Sequence, residues 1–235
     1  MKKNTVDRVL YRLSIAFIFA CLISGCTETD QKKEWKPILI GNYWFDFPED
    51  FELVEREGID SYVGEVKSDD IDFSFDYGIY SNHLGDTPED YISNGSWKQY
   101  IAYKFMKEGV TYTEISMPEI EVLSMRKANA KDSMTHEHGD YIVQCKHEDS
   151  LFDYPLEIPL AIKAMNYQID TLDGHIYRKI VYSKNPAKGI TAIYLKDIKD
   201  PDNDFALNLV TDKLSKQQQD TVLKIFSTVR IYQKK

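Results

Sequence analysis

Apolar and polar side chains alternate along much of the chain after residue 37, which is the period of a β-strand with one buried face. From Ile71 to Tyr77 every second residue is apolar or aromatic, and this segment predicts a half-buried antiparallel strand. Turn signals at Gly41-Asn42 and Asp173-Gly174 predict tight hairpins. Further strands are predicted at residues 38–40, 43–45, 51–55, 62–66, 110–115, 120–125, 141–145, 161–170, 176–182, 191–197, 205–210 and 228–232.

Two segments carry the signals of a helix start. The residues from Thr87 to Asp90 combine an N-cap residue, a proline at the first position and acids in the first turn. Asn94-Gly95 is expected to interrupt this helix, and apolar residues at helical spacing continue from Trp97 to Gly109. Ser215 and Gln218 form a capping box before a second helix, whose apolar face holds Val222, Leu223, Ile225 and Phe226.

These elements define a fold class. Runs of antiparallel strands with two clear helices predict an α+β fold, an antiparallel β-sheet packed with two or three helices, rather than alternating βα units. An aromatic content of 13%, led by 16 tyrosines, also favours a structure rich in sheet. We expect residues 36–235 to form a single globular domain, because their number is sufficient for one core.

The first 25 residues have the three-part pattern of a secretory signal. An uncharged apolar run from Leu13 to Ile23 covers 11 residues, whereas a membrane-spanning helix needs about 20. Small residues, Ser24 and Gly25, follow the run. Basic residues precede it, namely Lys2, Lys3, Arg8 and Arg12.

The segment Ile23-Ser24-Gly25-Cys26 resembles the lipobox of bacterial lipoproteins. The resemblance implies lipidation on the sulfur of Cys26 and cleavage just before it, so residues 1–25 are predicted to be the signal peptide and residues 26–35 a lipidated tether. Cys21 is a rival acceptor, but Phe19 occupies a position where the family prefers a small residue. An ordinary signal peptide is the alternative interpretation.

The residue after the lipidated cysteine bears on location. It is Thr27 and not Asp, which resembles lipoproteins that are released to the outer membrane. The resemblance implies a protein of the bacterial cell envelope, held in the outer membrane by palmitate-type acyl chains, with its domain on the periplasmic or the surface face. Several acyl chains on one cysteine give stable attachment, because each buried methylene contributes about 0.8 kcal/mol.

The charge of the mature chain limits the choice of partners. Removal of residues 1–25 takes away four basic residues and one acid, so the formal charge moves from −9 to −12. A chain this acidic repels phosphate backbones and anionic headgroups, and nucleic acid is therefore not an expected partner. After lipidation Cys145 is the remaining thiol, so no disulfide can form within the mature chain. Its apolar neighbours Ile142 and Val143 indicate a buried strand residue.

A cluster of metal-ligand types occupies residues 136–147. It consists of His136, His138, Asp140, Cys145 and His147. Imidazole and thiolate groups are the ligands of zinc, and a hairpin could bring two pairs of them together. The spacing matches no established zinc motif, however, and the alternative is a set of solvated loop histidines beside a core cysteine.

A second possible metal site lies at Asp200, Asp202 and Asp204, which alternate as the carboxylates of calcium loops do. An EF-hand loop also requires glycine at its sixth position and glutamate at its twelfth. Phe205 and Thr211 occupy those positions here. The alternative is a solvated hairpin tip.

The order of elements over residues 37–232 resembles the PsbP-like sandwich. In that family a meander with a motif like Phe75-Asp76-Tyr77-Gly78-Ile79-Tyr80 precedes a helix, further strands and a late helix after a Leu-Ser pair, here Leu214-Ser215. The resemblance implies accessory or scaffolding roles and carries no catalytic motif.

The sequence contains no nucleophile elbow, zinc-protease helix, phosphate loop or dinucleotide fingerprint, and it predicts no cofactor and no catalytic residue. We therefore expect a non-enzymatic binding or accessory module, attached to the membrane through Cys26, with a protein of the envelope as its partner. One alternative is an inhibitor or immunity lipoprotein against a basic toxin or hydrolase, since a charge of −12 would accelerate such an encounter. Another is a divergent hydrolase, because geometry and not sequence order defines a catalytic triad.

Overall fold

The structure is a computed structural model, and it describes residues 34–95, 97–99, 120–132, 139–199 and 204–232. Within these residues thirteen strands and three α-helices follow one another along the chain. The strands are β1 (Trp35–Ile40), β2 (Tyr43–Pro48), β3 (Glu52–Arg56), β4 (Tyr62–Lys67), β5 (Asp72–Gly78), β6 (Glu121–Lys127), β7 (Tyr141–His147), β8 (Ser150–Leu156), β9 (Met165–Leu172), β10 (Ile176–Ser183), β11 (Ile190–Asp197), β12 (Ala206–Asp212) and β13 (Arg230–Ile231). The helices are α1 (Pro88–Asn94), α2 (Leu160–Lys163) and α3 (Lys216–Ser227).

Three antiparallel sheets organise these strands. The largest has the order β3-β4-β5-β12-β11-β10-β9, so its two middle neighbours β5 and β12 come from distant parts of the chain. A second sheet has the order β1-β2-β13, and a third the order β6-β7-β8. The predicted α+β class with antiparallel sheet is confirmed.

The main core lies between the seven-stranded sheet, the β1-β2-β13 sheet and α3. Phe73 and Leu207 point into it from β5 and β12, and both are fully buried. Phe45 enters from β2, and Val222 and Phe226 enter from the apolar face of α3. Complete burial of such side chains contributes roughly 1.5–3 kcal/mol each, so this core is the principal source of stability.

A smaller core lies under the β6-β7-β8 sheet. Trp97, Val143, Cys145 and Leu156 are buried together there. The indole nitrogen of Trp97 donates a 3.0 Å hydrogen bond to the carbonyl oxygen of Ile92 in α1. This bond satisfies the polar end of a buried aromatic side chain.

Local turn and cap chemistry agrees with the sequence at several points. Gly41 has a positive φ of 56° in the β1–β2 turn, and Asp173 and Gly174 have φ values of 48° and 74° in the β9–β10 turn. The capping boxes predicted at Thr87 and Ser215 are both present. The hairpin and helix-start predictions are therefore confirmed.

Other predictions need correction. The strand predicted at 161–170 begins only at Met165, because the chain after Pro159 first makes the short helix α2. Strand β8 was not predicted, since Asp153 and Pro155 hide its alternation. The predicted strand at 110–115 and the helical continuation beyond residue 99 lie outside the described residues.

Candidate functional site

A row of polar side chains crosses the face of the seven-stranded sheet that lies opposite the main core. Lys179 of β10 pairs with Tyr194 of β11, Tyr194 with Asn208 of β12, and Asn208 with Asp76 of β5. Residues directly opposite each other in antiparallel strands project to the same face. The register therefore places these four side chains side by side, and we call them the polar row.

The polar row is buried beneath the segment 81–87, which connects β5 to α1. Lys179, Tyr194 and Asn208 are only 4%, 8% and 9% exposed. The Nζ of Lys179 donates to the carbonyl oxygen of Gly85 at 2.5 Å, and the Nδ2 of Asn208 donates to that of Asn82 at 3.4 Å. Two members of the row thus hold the segment against the sheet through its main chain.

The segment 81–87 has a tightly turned backbone. Leu84 and Gly85 have φ values of 66° and 70°. The amide of Leu84 donates to Oδ1 of Asn82 at 2.8 Å, and the amide of Gly85 donates to Nδ1 of His83 at 3.1 Å. These two bonds fix the amides of Leu84 and Gly85. They thereby hold the turn in the conformation in which the Gly85 carbonyl accepts from Lys179.

A cavity of about 320 Å³ opens beside Lys179. Its charged groups are close together, since the Nζ of Lys179 lies 3.9 Å from Oδ2 of Asp90. Asp86 accepts a 2.7 Å hydrogen bond from the side-chain amide of Asn94. The cavity is lined by His83, Gly85, Asp86, Asp90, Ser93, Asn94, Tyr177 and Lys179.

The electrostatics of the cavity follow from burial and hydrogen bonding. Burial lowers the pKa of Lys179 from its ordinary value, and the carboxylates of Asp90 and Asp86 oppose that shift. The pKa of Asp90 is lowered, chiefly because the backbone N–H of Thr87 donates to its carboxylate. The arrangement can donate a hydrogen bond to a carbonyl or anionic oxygen, but Gly85 already occupies one donor position. The main role of Lys179 is therefore to hold the segment 81–87 against the sheet.

Replacement of Lys179 with methionine is expected to raise hydrogen exchange in the segment 81–87 by roughly ten- to a hundredfold, because a bond from a charged donor contributes about 1.5–3 kcal/mol. The amides of Leu84 and Gly85 are the reporters, since both are hydrogen-bonded in the native turn. Hydrogen-exchange mass spectrometry measures the effect. Lys196→Met, on the neighbouring strand β11, is the control. Unchanged exchange at these amides would show that the bond contributes nothing to holding the segment.

Asp140, Cys145 and His147 are the residues of the predicted zinc cluster that the structure describes. Cys145 is fully buried in the smaller core. The Oδ2 of Asp140 accepts 2.7 Å contacts from the Ile158 amide and the Lys163 ammonium group. In the described part of the chain no three His, Cys, Asp or Glu side chains are placed to hold a metal ion. His147 lies on β7, and His136 and His138 lie outside the described residues, so the zinc site stays a prediction.

The predicted calcium loop is described only at its last carboxylate. Asp204 lies 3.1 Å from the Nζ of Lys196. Asp200 and Asp202 lie outside the described residues. The ion pair occupies one oxygen of Asp204, and the calcium site stays a prediction.

Cys145 is expected to resist thiol reagents in the native protein. Burial raises the pKa of its thiol, Asp153 adds to the shift and Lys98 opposes it, and the thiolate is the reactive form. In a fully reduced, lipidated sample, an aromatic disulfide reagent should react roughly a thousandfold faster after unfolding in guanidinium than before, because reaction requires the core to open. Equal rates in the two states would contradict the burial.

Exposed apolar side chains collect at one end of the seven-stranded sheet. Ile59 lies in the β3–β4 loop, Ile79 and Tyr80 follow β5, Ile198 follows β11, and Phe205 precedes β12. Their exposed fractions are 104%, 45%, 74%, 56% and 44% in that order. These residues lie at the ends of four consecutive strands of the sheet, β4, β5, β12 and β11. They therefore span about 14 Å, at about 4.8 Å between neighbouring strands. We call them the loop-end surface.

Sequence reasoning missed both features. Lys179 directly precedes the apolar pair Ile180-Val181 on β10 and shares a face with Val181, which is 2% exposed. A charged residue at a buried period-2 position was the available signal. The loop-end surface arises from the convergence of separate loops and leaves no local signal.

Comparison of the sequence with models of known protein families and with curated proteins gave no match. Among the described residues no helix has both the length and the apolar character needed to cross a bilayer.

Proposed function

We propose that this chain is a lipoprotein of the bacterial cell envelope, anchored through Cys26, and that its domain is a non-enzymatic binding or accessory module. The anchor is supported by the apolar run and the lipobox-like residues that end at Cys26, which lie outside the described residues. The binding role is supported by the loop-end surface, where five large apolar side chains are exposed together. Apolar clusters of this kind on a protein surface are typical of sites for partners.

The direction of β1 favours the same role. The strand begins at Trp35, the last residue of the proposed tether, and ends at the Gly41 turn. Its six residues extend about 17 Å. Gly41 lies against the ring of Tyr77. Tyr77 is one residue before the end of β5 and two residues before Ile79 of the loop-end surface. Trp35 therefore lies at the end of β1 that is farther from the loop-end surface.

For the finer fold we propose a PsbP-like sandwich. It is supported by the meander β3-β4-β5 that ends in the Phe75–Tyr80 motif, by α1 after it, and by the start of α3 directly after Leu214-Ser215. The accessory roles of that family agree with a binding module. In the proposed sandwich α3 packs on the face of the seven-stranded sheet that forms the main core. A crystal structure with α3 on the other face of that sheet would contradict this fold.

Metabolic labelling tests the anchor. Radiolabelled palmitate should be incorporated into the wild-type chain and into Cys21→Ala, and the label should be lost in Cys26→Ala. The labelled protein should fractionate with outer membranes, because Thr27 follows the acylated cysteine. Label in Cys26→Ala, or recovery of the uncleaved chain in the cytosol, would contradict the proposal.

Cross-linking in intact cells tests the binding role. A short amine-reactive cross-linker should trap the lipidated protein in a discrete complex larger than the chain itself. The double variant Ile59→Ser/Tyr80→Ser should lose most of this complex. The control Leu151→Ser/Leu160→Ser changes two leucines that are 64% and 74% exposed, and it should retain the complex. No complex in any of these proteins would contradict a binding module.

A further inference from the structure

We infer that the partner of the loop-end surface is a basic protein, which places apolar side chains on this surface and lysine or arginine side chains on the acids around it. The inference rests on the proposed binding role. It specifies the chemistry of the partner, which neither the anchor nor the fold supplies. The supporting observations are the arrangement of the apolar residues and the charges of the same loops.

The apolar centre of the surface is built by strands that are locked to one another. Gly78 at the end of β5 pairs with Ala206 at the start of β12, so Ile79 and Phe205 extend from directly opposed positions. The rings of Tyr77 and Phe205 lie 5.7 Å apart at their centroids. A partner therefore meets apolar groups on a supported base, which reduces the entropy lost on binding.

The acids around this centre are uncompensated. Glu57, Asp60 and Asp173 are exposed in the β3–β4 and β9–β10 loops. Within the described part of the chain none of the three takes part in an ion pair. Elsewhere acids of the sheets do, as Asp46 does with Arg230 and Asp170 with Arg178.

The balance of charge at this end is negative. In the described residues of the β3–β4, β9–β10 and β11–β12 loops the acids are Glu57, Asp60, Asp173 and Asp204, and the one lysine is Lys199. Asp204 pairs with Lys196, and the other three acids have no ion-pair partner among the described residues. Unpaired acids around an apolar centre attract a cationic partner and steer its approach.

The same charges disfavour other occupants. A second copy of this chain would bring its own acids against these, and like charges across an interface cost several kcal/mol. An anionic lipid surface would be repelled for the same reason. A basic protein satisfies both the apolar and the electrostatic features of the surface.

Site-specific photo-cross-linking of the full-length lipidated protein in cells tests the inference. Benzoylphenylalanine at Tyr80 should form an adduct with a protein whose Lys and Arg residues outnumber its Asp and Glu residues. Benzoylphenylalanine at Leu160 is the matched control, because Tyr80 and Leu160 are both 74% exposed. Leu160 lies in α2, which precedes the start of β9, at the end of the sheet opposite to the loop-end surface. It should form no such adduct.

Charge reversal provides the second arm. Glu57→Lys/Asp60→Lys should lower the yield of the Tyr80 adduct about tenfold, the effect of about 1.4 kcal/mol. Glu148→Lys/Asp149→Lys makes the same change in the exposed β7–β8 turn and should leave the yield unchanged.

Each remaining outcome decides against the inference. An adduct at Tyr80 with an acidic or neutral protein, with a second copy or with lipid overturns it, and so does a yield that charge reversal does not change. If the protein without charge reversal forms no adduct at Tyr80 while the amine-reactive cross-linker still traps the complex, the inference is overturned but the binding role remains. Loss of both removes the proposed function itself.

Discussion

Valine in place of Gly41 is expected to lower the free energy of unfolding by roughly 2–6 kcal/mol. The backbone at Gly41 has a φ of +56°, a conformation that costs a β-branched residue about 1–3 kcal/mol. A Cβ at this position would lie 2.6–2.7 Å from carbons of the Tyr77 ring. Relief of that overlap requires the β1–β2 turn to move away from β5, at a further cost of about 1–3 kcal/mol. Urea denaturation monitored by circular dichroism measures the difference.

Gly174 is the matched control for this prediction. Its φ is +74°, but no atom lies within 4 Å of the position that a Cβ would take. Gly174→Val therefore carries the backbone strain without the contact with a ring. Equal destabilisation of the two variants would mean that the contact between Gly41 and Tyr77 contributes nothing.

A steep loss of stability above about pH 10 is the second large effect expected. Burial raises the pKa of Tyr43, and burial with the hydrogen bond to Glu55 raises that of Tyr62 to about 12. The unfolded chain releases a tyrosine proton at about pH 10, whereas the folded state retains it. The folded state therefore loses stability as the pH rises, by about 1.4 kcal/mol per pH unit for each such tyrosine. At about pH 11.5 the two tyrosines with the largest shifts together cost about 4 kcal/mol, which is a large part of a typical stability of about 5–15 kcal/mol. Burial also raises the pKa of Tyr77, Tyr167, Tyr177 and Tyr194.

One buried base acts in the other direction. The pKa of Lys179 is lowered in the folded state, so the unfolded chain binds this proton more readily. The contribution of Lys179 to stability therefore rises with pH up to about 10.5, the ordinary pKa of a lysine. Above that pH only the tyrosine effect continues, and the stability curve should fall steeply. Thermal melts at one-unit intervals from pH 8 to pH 12 record both parts.

Tyr43→Phe separates the contribution of one phenol from the rest. Tyr43 is 3% exposed in the main core, and phenylalanine keeps its ring. The slope of stability above pH 10 should decrease by about 1.4 kcal/mol per pH unit. Tyr80→Phe, which removes a phenol that is 74% exposed, is the control. An identical slope for wild type and Tyr43→Phe would contradict the assignment.

The parts of the fold that the sequence predicts are those specified by neighbouring residues. The turn at Gly41 requires a positive φ, and the capping boxes at Thr87 and Ser215 need residues only three positions apart. The pairing of β5 with β12 has no such local cause, because it depends on which faces can be buried together once the chain has collapsed. Strand β8 was missed because Pro155, paired with Ile142 across the ladder, breaks the expected pattern.

The candidate site divides in the same way. Burial of Cys145 follows from its apolar neighbours Ile142 and Val143, and the structure places all three in the interior. The polar row cannot be read locally, because Lys179 and Asp76 are aligned only through the register of four strands. The metal candidates were selected by spacing along the chain, and spacing does not determine which side chains converge.

The pairing of distant segments also determines when this domain can fold. Strand β5 needs β12 as its neighbour, and β2 needs β13 at the carboxyl end of the chain. The seven-stranded sheet cannot close until β12 has been synthesised, and the β1-β2-β13 sheet cannot close until β13 has been synthesised. Contacts of such long range form slowly. This delay agrees with the export proposed above, because a chain that folded early would not pass through a secretion channel.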